Sequence, residues 1–227
     1  MYAVWKPARG WVVKGGYGHG FKAPTLKQIS ADYQEDEGPY TYFGNAALVP
    51  ERNDAVELSA GYDTTALGVE ATLFHNRVRQ LIVPVQFGTV AGRAQYRFQN
   101  LDRATFRGAE VATRAVLPAG FGVQAQATYL DATDGNGQRL EKRPRFLAGL
   151  ELNWVGGPWR AGLRLDHHAG QQIASTTVGQ ANQPLPALTR ASAFAQWKID
   201  PQWTVDAGVD NLTQLRLADE SPLFNWA

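Results

Sequence analysis

The chain has 227 residues, with 22 basic and 21 acidic side chains and a formal charge of +1, so no basic face marks it for nucleic acid. It has no cysteine, which excludes a disulfide scaffold and thiolate metal sites. No run of about 18 apolar residues is present, so a transmembrane helix is excluded, and the opening MYAVWKPARGW lacks the regions of a secretory signal. That opening leads us to expect a piece of a longer precursor. A mean hydropathy of −0.32 is low for a helical membrane protein but ordinary for one that crosses with strands.

Helix signals are poor. Glycine occurs 23 times, scattered through segments that alternate with period two. The alternation predicts ten strands, near 2–6, 10–18, 53–63, 67–82, 95–116, 121–131, 144–155, 159–169, 189–199 and 203–213. Val56, Leu58, Ala60 and Tyr62 alternate with Glu57, Ser59, Gly61 and Asp63. Val123, Ala125, Ala127 and Tyr129 alternate with glutamine and threonine. Phe146 to Trp154, Ala161 to Leu165 and Trp203 to Val209 repeat the pattern. One face is apolar and the other small, polar or charged. A soluble sandwich and a membrane barrel both read this way, with the apolar face turned inward or toward lipid.

The connections alternate in length. Pro7–Gly10, Thr64–Leu67, Pro118–Phe121, Gly156–Trp159 and Asp200–Trp203 are short. Gly20–Arg52, Val83–Ala94, Asp131–Arg143 and Gly170–Ala187 are long and polar. An up-and-down meander with one neat end and one elaborated end has this form. Six of the seven tryptophans bracket short turns in pairs: Trp5 and Trp11, Trp154 and Trp159, Trp197 and Trp203. Amphipathic rings gather where a bilayer meets water, so the short-turn end reads as a girdle. Tyr17, Tyr129 and Phe146 stand toward the other end. The expected fold class is all-β, an antiparallel up-and-down transmembrane β-barrel segment of about ten strands.

Catalytic and metal patterns are weak. Asp166 and His168 share a strand face while His167 points away, which leaves an outer-membrane enzyme with rim Asp and His as a minor reading. Asp131 to Gly137 resembles a calcium loop only in part, because its required carboxylate positions fall on Ala132 and Arg143. The glycine run Gly15–Gly20 does not match a dinucleotide loop. We expect no catalytic residue, resident cofactor or metal site.

The long connections are richer in signal. Arg77, Arg79, Arg93, Arg97, Arg103, Arg143 and Arg145 lie in or beside them, interleaved with Tyr and Phe. Such a set suits an anionic, aromatic ligand through charge-assisted hydrogen bonds and cation–π contacts. The ligand candidates are Lys22, Tyr40, Tyr42, Phe43, Arg79, Arg93, Arg97, Arg143 and Arg145. Solvated loop charge and contact with lipopolysaccharide phosphates are the other readings of the same arginines. The acidic run Asp32 to Glu37 argues against an anion docking directly on that stretch.

Four stretches, in order, then carry a resemblance: GYGHGFKAPTLKQIS, YFGNAALVPERNDAVELSAGY, FQNLDRATFRGAEV and AGVDNLT. Together they resemble the TonB-dependent outer-membrane receptors, most closely the ferric-siderophore receptors of the catecholate and colicin-receptor type. The resemblance implies part of a 22-stranded barrel, residues 1–227 standing for roughly its later strands, with the plug domain and the closing strand outside this sequence. It implies an outer-membrane location and uptake of a ferric siderophore, with TonB acting only through the plug. Cobalamin, haem or glycan cargo is the alternative within the family, and a soluble β-sandwich binding module is the alternative outside it. An isolated ten-stranded piece would leave two open edges, so this stretch by itself is expected not to transport.

Overall fold

The computed structural model describes residues 1–173 and 182–215. The strand path begins with β1 (Tyr2–Trp5), β2 (Trp11–Lys22), β3 (Gln34–Glu37) and β4 (Tyr40–Phe43). It continues with β5 (Glu51–Asp63), β6 (Leu67–Val90), β7 (Arg93–Val116), β8 (Phe121–Asp134), β9 (Phe146–Gly156) and β10 (Trp159–Ala169). The short pair β11 (Gln172–Ile173) and β12 (Gln183–Pro184) precedes β13 (Leu188–Lys198) and β14 (Thr204–Val209). One helical turn, α1 (Leu26–Ile29), lies between β2 and β3. Residues 174–181 of the Gly170–Ala187 connection, and residues 216–227, lie outside the described residues.

Ten strands pair in chain order, β1-β2-β5-β6-β7-β8-β9-β10-β13-β14, each antiparallel to the next. These are the ten strands of the sequence pattern, and the all-β antiparallel class holds. Two connections differ from expectation. The Val83–Ala94 segment is strand, because Leu81, Val83 and Val85 continue the alternation and pair with Leu101, Gln99 and Arg97. Only Ala91 and Gly92 turn, both at positive φ (49° and 80°), as a tight hairpin twisted to match its strands requires. The Gly20–Arg52 connection is likewise structured, with α1, β3 and β4 inside it.

Strand length separates the elements. Crossing a bilayer takes about ten residues, yet β6 and β7 each run for 24. Their hairpin therefore projects well past its neighbours, and β8 follows β7 only from Val116 to Ala104.

Cross-strand register keeps the two faces separate. Trp11, Tyr62, Val69 and Thr113 form one outward row, and Val13, Ala60, Ala71 and Val111 the next. Further along the sheet, Val123, Leu152, Leu163, Ala193 and Val209 are successive partners. This apolar face is not covered: Leu73 is 60% exposed, Leu58 54% and Val209 56%. Among the described residues no large side chain is fully buried. A soluble sandwich would bury this face against a second sheet, whereas a barrel wall turns it toward lipid.

The tryptophans stand where the girdle places them. Trp11 packs on Tyr62 at 5.0 Å between ring centroids, and Trp159 stacks on Trp197 at 5.2 Å. The Trp154 indole donates to the Ala119 carbonyl (3.1 Å), giving its polar edge a partner at the boundary. At the other end Tyr129 and Phe146 meet at 5.2 Å.

The opposite face is polar and paired. Lys14 bonds Glu70 (3.1 Å), Asn153 bonds Glu151 (3.0 Å) and Gln196 bonds Asp206 (2.6 Å). Gly108 lies here beneath the Phe74 ring. A Cβ at this position would stand 2.0 Å from the Tyr129 carbonyl oxygen and 2.7 Å from that ring. Gly108→Ala should therefore destabilise the folded wall by about 1–3 kcal/mol. Gly18→Ala, where nothing lies within 4 Å, should be close to neutral. Urea unfolding in detergent, read by heat-modifiable gel mobility, compares them; equal midpoints would refute the packing account.

Candidate functional site

The loop end is built on the long β6–β7 hairpin. Beyond Ala104, the β7 edge that β8 leaves vacant is taken by β4, which pairs in parallel: Tyr40 with Ala94, Thr41 with Gln95, Tyr42 with Tyr96 and Phe43 with Arg97. This is the one parallel pairing among the described strands, and it covers an edge that would otherwise invite another chain.

The preceding segment is held by side chains suited to the work. Thr25 caps α1 by accepting from the Gln28 amide (3.3 Å), while the Gln28 side chain accepts from the Thr25 amide (2.9 Å). The Asn45 amide nitrogen donates to the Phe98 carbonyl (2.9 Å). Asn100 grips both the amide and the carbonyl of Val49 at 2.9 Å. The Glu51 carboxylate accepts from the Ile82 amide (3.1 Å) and from Lys22 (3.3 Å). A connection that sequence alone reads as a loop is thus fastened to β7 and β6.

Two clusters result. On the polar face Tyr40, Ala94 and Tyr96 form a core against which Tyr42 packs. Tyr42 stacks on Tyr96 at 5.5 Å and on Phe98 at 6.3 Å, and Tyr40 meets Tyr96 edge-on at 5.6 Å. Lys142 of the β8–β9 connection holds its ammonium 6.0 Å from the Tyr40 ring. On the other face Phe43 meets Phe87 at 5.6 Å, and Arg97 lies over Phe87 at 4.9 Å. Burial first, with Glu37 adding to it, pushes the Tyr42 hydroxyl up to about 12.

The sequence candidates separate accordingly. Tyr40 and Tyr42 share the polar-face cluster, where Tyr40 is buried at 4% exposure and serves as packing, while Phe43 and Arg97 meet at Phe87 on the other face. Arg93 pairs with Asp36 (2.9 Å) beside them. Arg143 is exposed next to Lys142. Lys22 is tied to Glu51, Arg145 approaches Asp131 (3.6 Å), and Arg79 stands on the apolar face near Asp54 (3.8 Å). Tyr96 and Lys142 belong to the site but were not among the candidates. Tyr96 and Phe98 alternate in AQYRFQN, a signal that was legible; Lys142 carried none. The acidic run is partly neutralised, since Glu35 engages Tyr33 and Lys27, and Asp36 engages Arg93 and Thr41 (2.7 Å). The Tyr33 hydroxyl, then the Lys27 ammonium, hold the exposed Glu35 carboxyl below its ordinary range.

Comparison with known proteins decides the family. Residues 2–212 match the model described as TonB dependent receptor-like, beta-barrel. The chain belongs to the TonB-dependent receptor family. It is 30% identical over 167 residues to the iron-regulated outer membrane virulence protein of Vibrio cholerae, covering 68% of this chain and 26% of that protein. It is 25% identical over 237 residues to the ferric enterobactin receptor of Pseudomonas aeruginosa, covering 90% of this chain and 31% of that one. A solved structure of a mutant of that Pseudomonas receptor in complex with enterobactin superposes with a TM-score of 0.73 at 22% identity, covering 93% of this chain and 34% of that chain. The chain therefore spans about a quarter to a third of the length of these two relatives.

As a TonB-dependent receptor barrel, the protein lies in the outer membrane with its apolar face to lipid and its polar face to the lumen. The Pseudomonas relative is named a receptor and the Vibrio relative an outer membrane protein. Asp166, considered above for catalysis, is held by Arg164 at 3.0 Å and approached by Arg190 at 3.6 Å, and His167 on the opposite face bonds Thr189 (2.8 Å). The Asp134 carboxylate accepts from the amides of Asn136 (2.9 Å) and Gln138 (2.8 Å), so the calcium-like segment is a polar turn. Among the described residues no group of three or more His, Asp or Glu could hold a metal.

The raised Tyr42 hydroxyl gives a pH prediction. Its neutral form is favoured in the docked state, so this group's contribution is full below pH of about 10 and is lost as pH rises toward 12. Tyrosinate absorbance should show a late transition that Tyr42→Phe removes. Ionisation of Tyr42 with the ordinary tyrosines would contradict the docked arrangement.

Proposed function

We propose that this chain is the C-terminal barrel portion of an outer-membrane receptor for TonB-dependent uptake of a ferric siderophore, with no enzymatic activity of its own. The observation that carries the reading is the family match together with relatives named for iron regulation and ferric enterobactin. The loop end supports it chemically. A ferric catecholate is anionic and presents aromatic rings. Tyr42 backed by Tyr96 and Phe98 offers a stacking surface on the lumenal side, with Lys142 and Arg143 on the neighbouring connection. Charge-assisted hydrogen bonds and stacking would hold such a ligand.

In this reading Tyr40 and Tyr96 position Tyr42 and do not themselves meet the ligand. Arg93 ties the hairpin to β3, Arg97 lies over Phe87 between the hairpin's two strands, and Lys22 and Arg145 brace the strand ends. Transport would use a plug and TonB, as in the family.

Arg143→Ala combined with Tyr42→Ala should weaken ferric catecholate binding by about tenfold or more, each lost contact being worth roughly 1–3 kcal/mol. Lys22→Ala should leave it within about twofold, since Lys22 faces Glu51. The measurement is ferric-siderophore binding and iron-limited growth in cells lacking their own receptors. Growth on haem or cobalamin with none on any ferric siderophore would reject the cargo.

A further inference from the structure

The outward face changes character on three neighbouring strands. The apolar band that starts at the tryptophans stops at Val56 on β5, Leu73 on β6 and Ala109 on β7, and on these strands apolar residues return on this face only on the projecting hairpin, at Leu81, Val83 and Leu101. Farther from the tryptophans, the same face carries Asp54 and Arg52, then His75, Arg77 and Arg79, then Arg107 and Arg103. All five arginines are exposed. They face two carboxylates, Asp54 and, on β8, Asp131, which pairs with Arg107 at 2.9 Å; three positive charges remain in excess.

Register concentrates that excess. Arg52 stands directly opposite Arg79, and Arg79 directly opposite Arg103. Like charges at directly opposed positions repel, so this ladder is unfavourable by itself. Asp54 reaches Arg79 only at 3.8 Å, and Arg52 and Arg103 have no ion-pair partner among the described residues. An anion bridging the three guanidinium groups would turn a repulsive row into an attractive one.

We propose that Arg52, Arg79 and Arg103 form a binding site for the phosphate groups of the surrounding outer-leaflet lipid, the phosphorylated headgroups of lipopolysaccharide. The row lies on the lipid-facing side, just past the end of the apolar band, where headgroups and not soluble ligands are presented. Guanidinium forks match phosphate oxygens bidentately and are weakly hydrated, which favours this chemistry over lysine. The inference rests on the outer-membrane placement and is independent of the cargo.

The protein is extracted from outer membranes in mild detergent, and retained lipopolysaccharide is counted by native mass spectrometry. Each charge near an anionic lipid surface contributes about fivefold, so Arg52→Gln, Arg79→Gln and Arg103→Gln together should cut retention on the order of a hundredfold. Arg93→Gln with Arg143→Gln, at the loop end, should retain the lipid. Asp54→Asn, which enlarges the excess charge, should raise retention and covers the case in which the triple variant does not fold. Nanodiscs holding phosphorylated or dephosphorylated lipid, and inorganic phosphate alone, separate the sources. Preference for the phosphorylated lipid over both supports the proposal. Unchanged retention in the triple variant, or equal retention of dephosphorylated lipid, overturns it. So does inorganic phosphate binding as tightly as the lipid.

Discussion

The backbone hydrogen-bond ladder is the constraint on which the rest depends. In hydrocarbon no water is available to an unpaired amide or carbonyl, so a strand that crosses must find a partner along its membrane length. Pairing in chain order meets that demand with the shortest connections, and each strand enters the sheet beside its predecessor. The pleat then alternates side chains between two environments, which is why the apolar residues need no core. What resembles a core is local: Tyr40, Ala94 and Tyr96, above the span, where water returns and burial stabilises again.

The same ladder explains the loop end. Where β8 stops, β7 continues with an open edge, and the chain closes it by bringing β4 across to pair in parallel. That choice fixes which side chains meet. In parallel register Tyr42 is set against Tyr96 and Phe43 against Arg97, so the aromatic surface follows from an edge that had to be covered. Gly44 shows how closely the segment is seated: a Cβ there would stand 1.9 Å from the Ser30 carbonyl oxygen.

Much of this was legible in residue order. Alternation located all ten wall strands because each face meets a uniform medium, lipid or lumen, over many residues. The paired tryptophans located the short-turn end for the same reason. The loop end was less legible because its determinants are non-local. Val83 to Ala94 reads as a connection by polarity, yet it is strand, since its partner lies ten or so residues on and the turn needs only Ala91 and Gly92. No local signal announces that β4 will pair with β7, some fifty residues away in sequence. Arg79 and Arg97 looked alike as loop-side arginines. Register separates them, one onto the ladder with Arg52 and Arg103, the other over Phe87.

The two halves of the proposed lumenal site rest on different supports. Tyr42 is carried by β4, which pairs with β3 and with β7 of the long hairpin. Lys142 and Arg143 belong to the β8–β9 connection, which is tied instead toward β10 and β11: the Lys142 amide donates to the Gln172 carbonyl (2.7 Å), and the Gln172 side chain donates to the Arg139 carbonyl (2.8 Å). Among the links between the halves are the charge of Glu141, acting on the Tyr40, Tyr42 and Tyr96 hydroxyls, and the long contact of Lys142 with the Tyr40 ring, 6.0 Å from ammonium to centroid. Such a contact is worth about 1 kcal/mol at an exposed site, small beside the ladders that hold each half. A ligand that touches both the aromatic and the basic part would draw on two separately anchored supports.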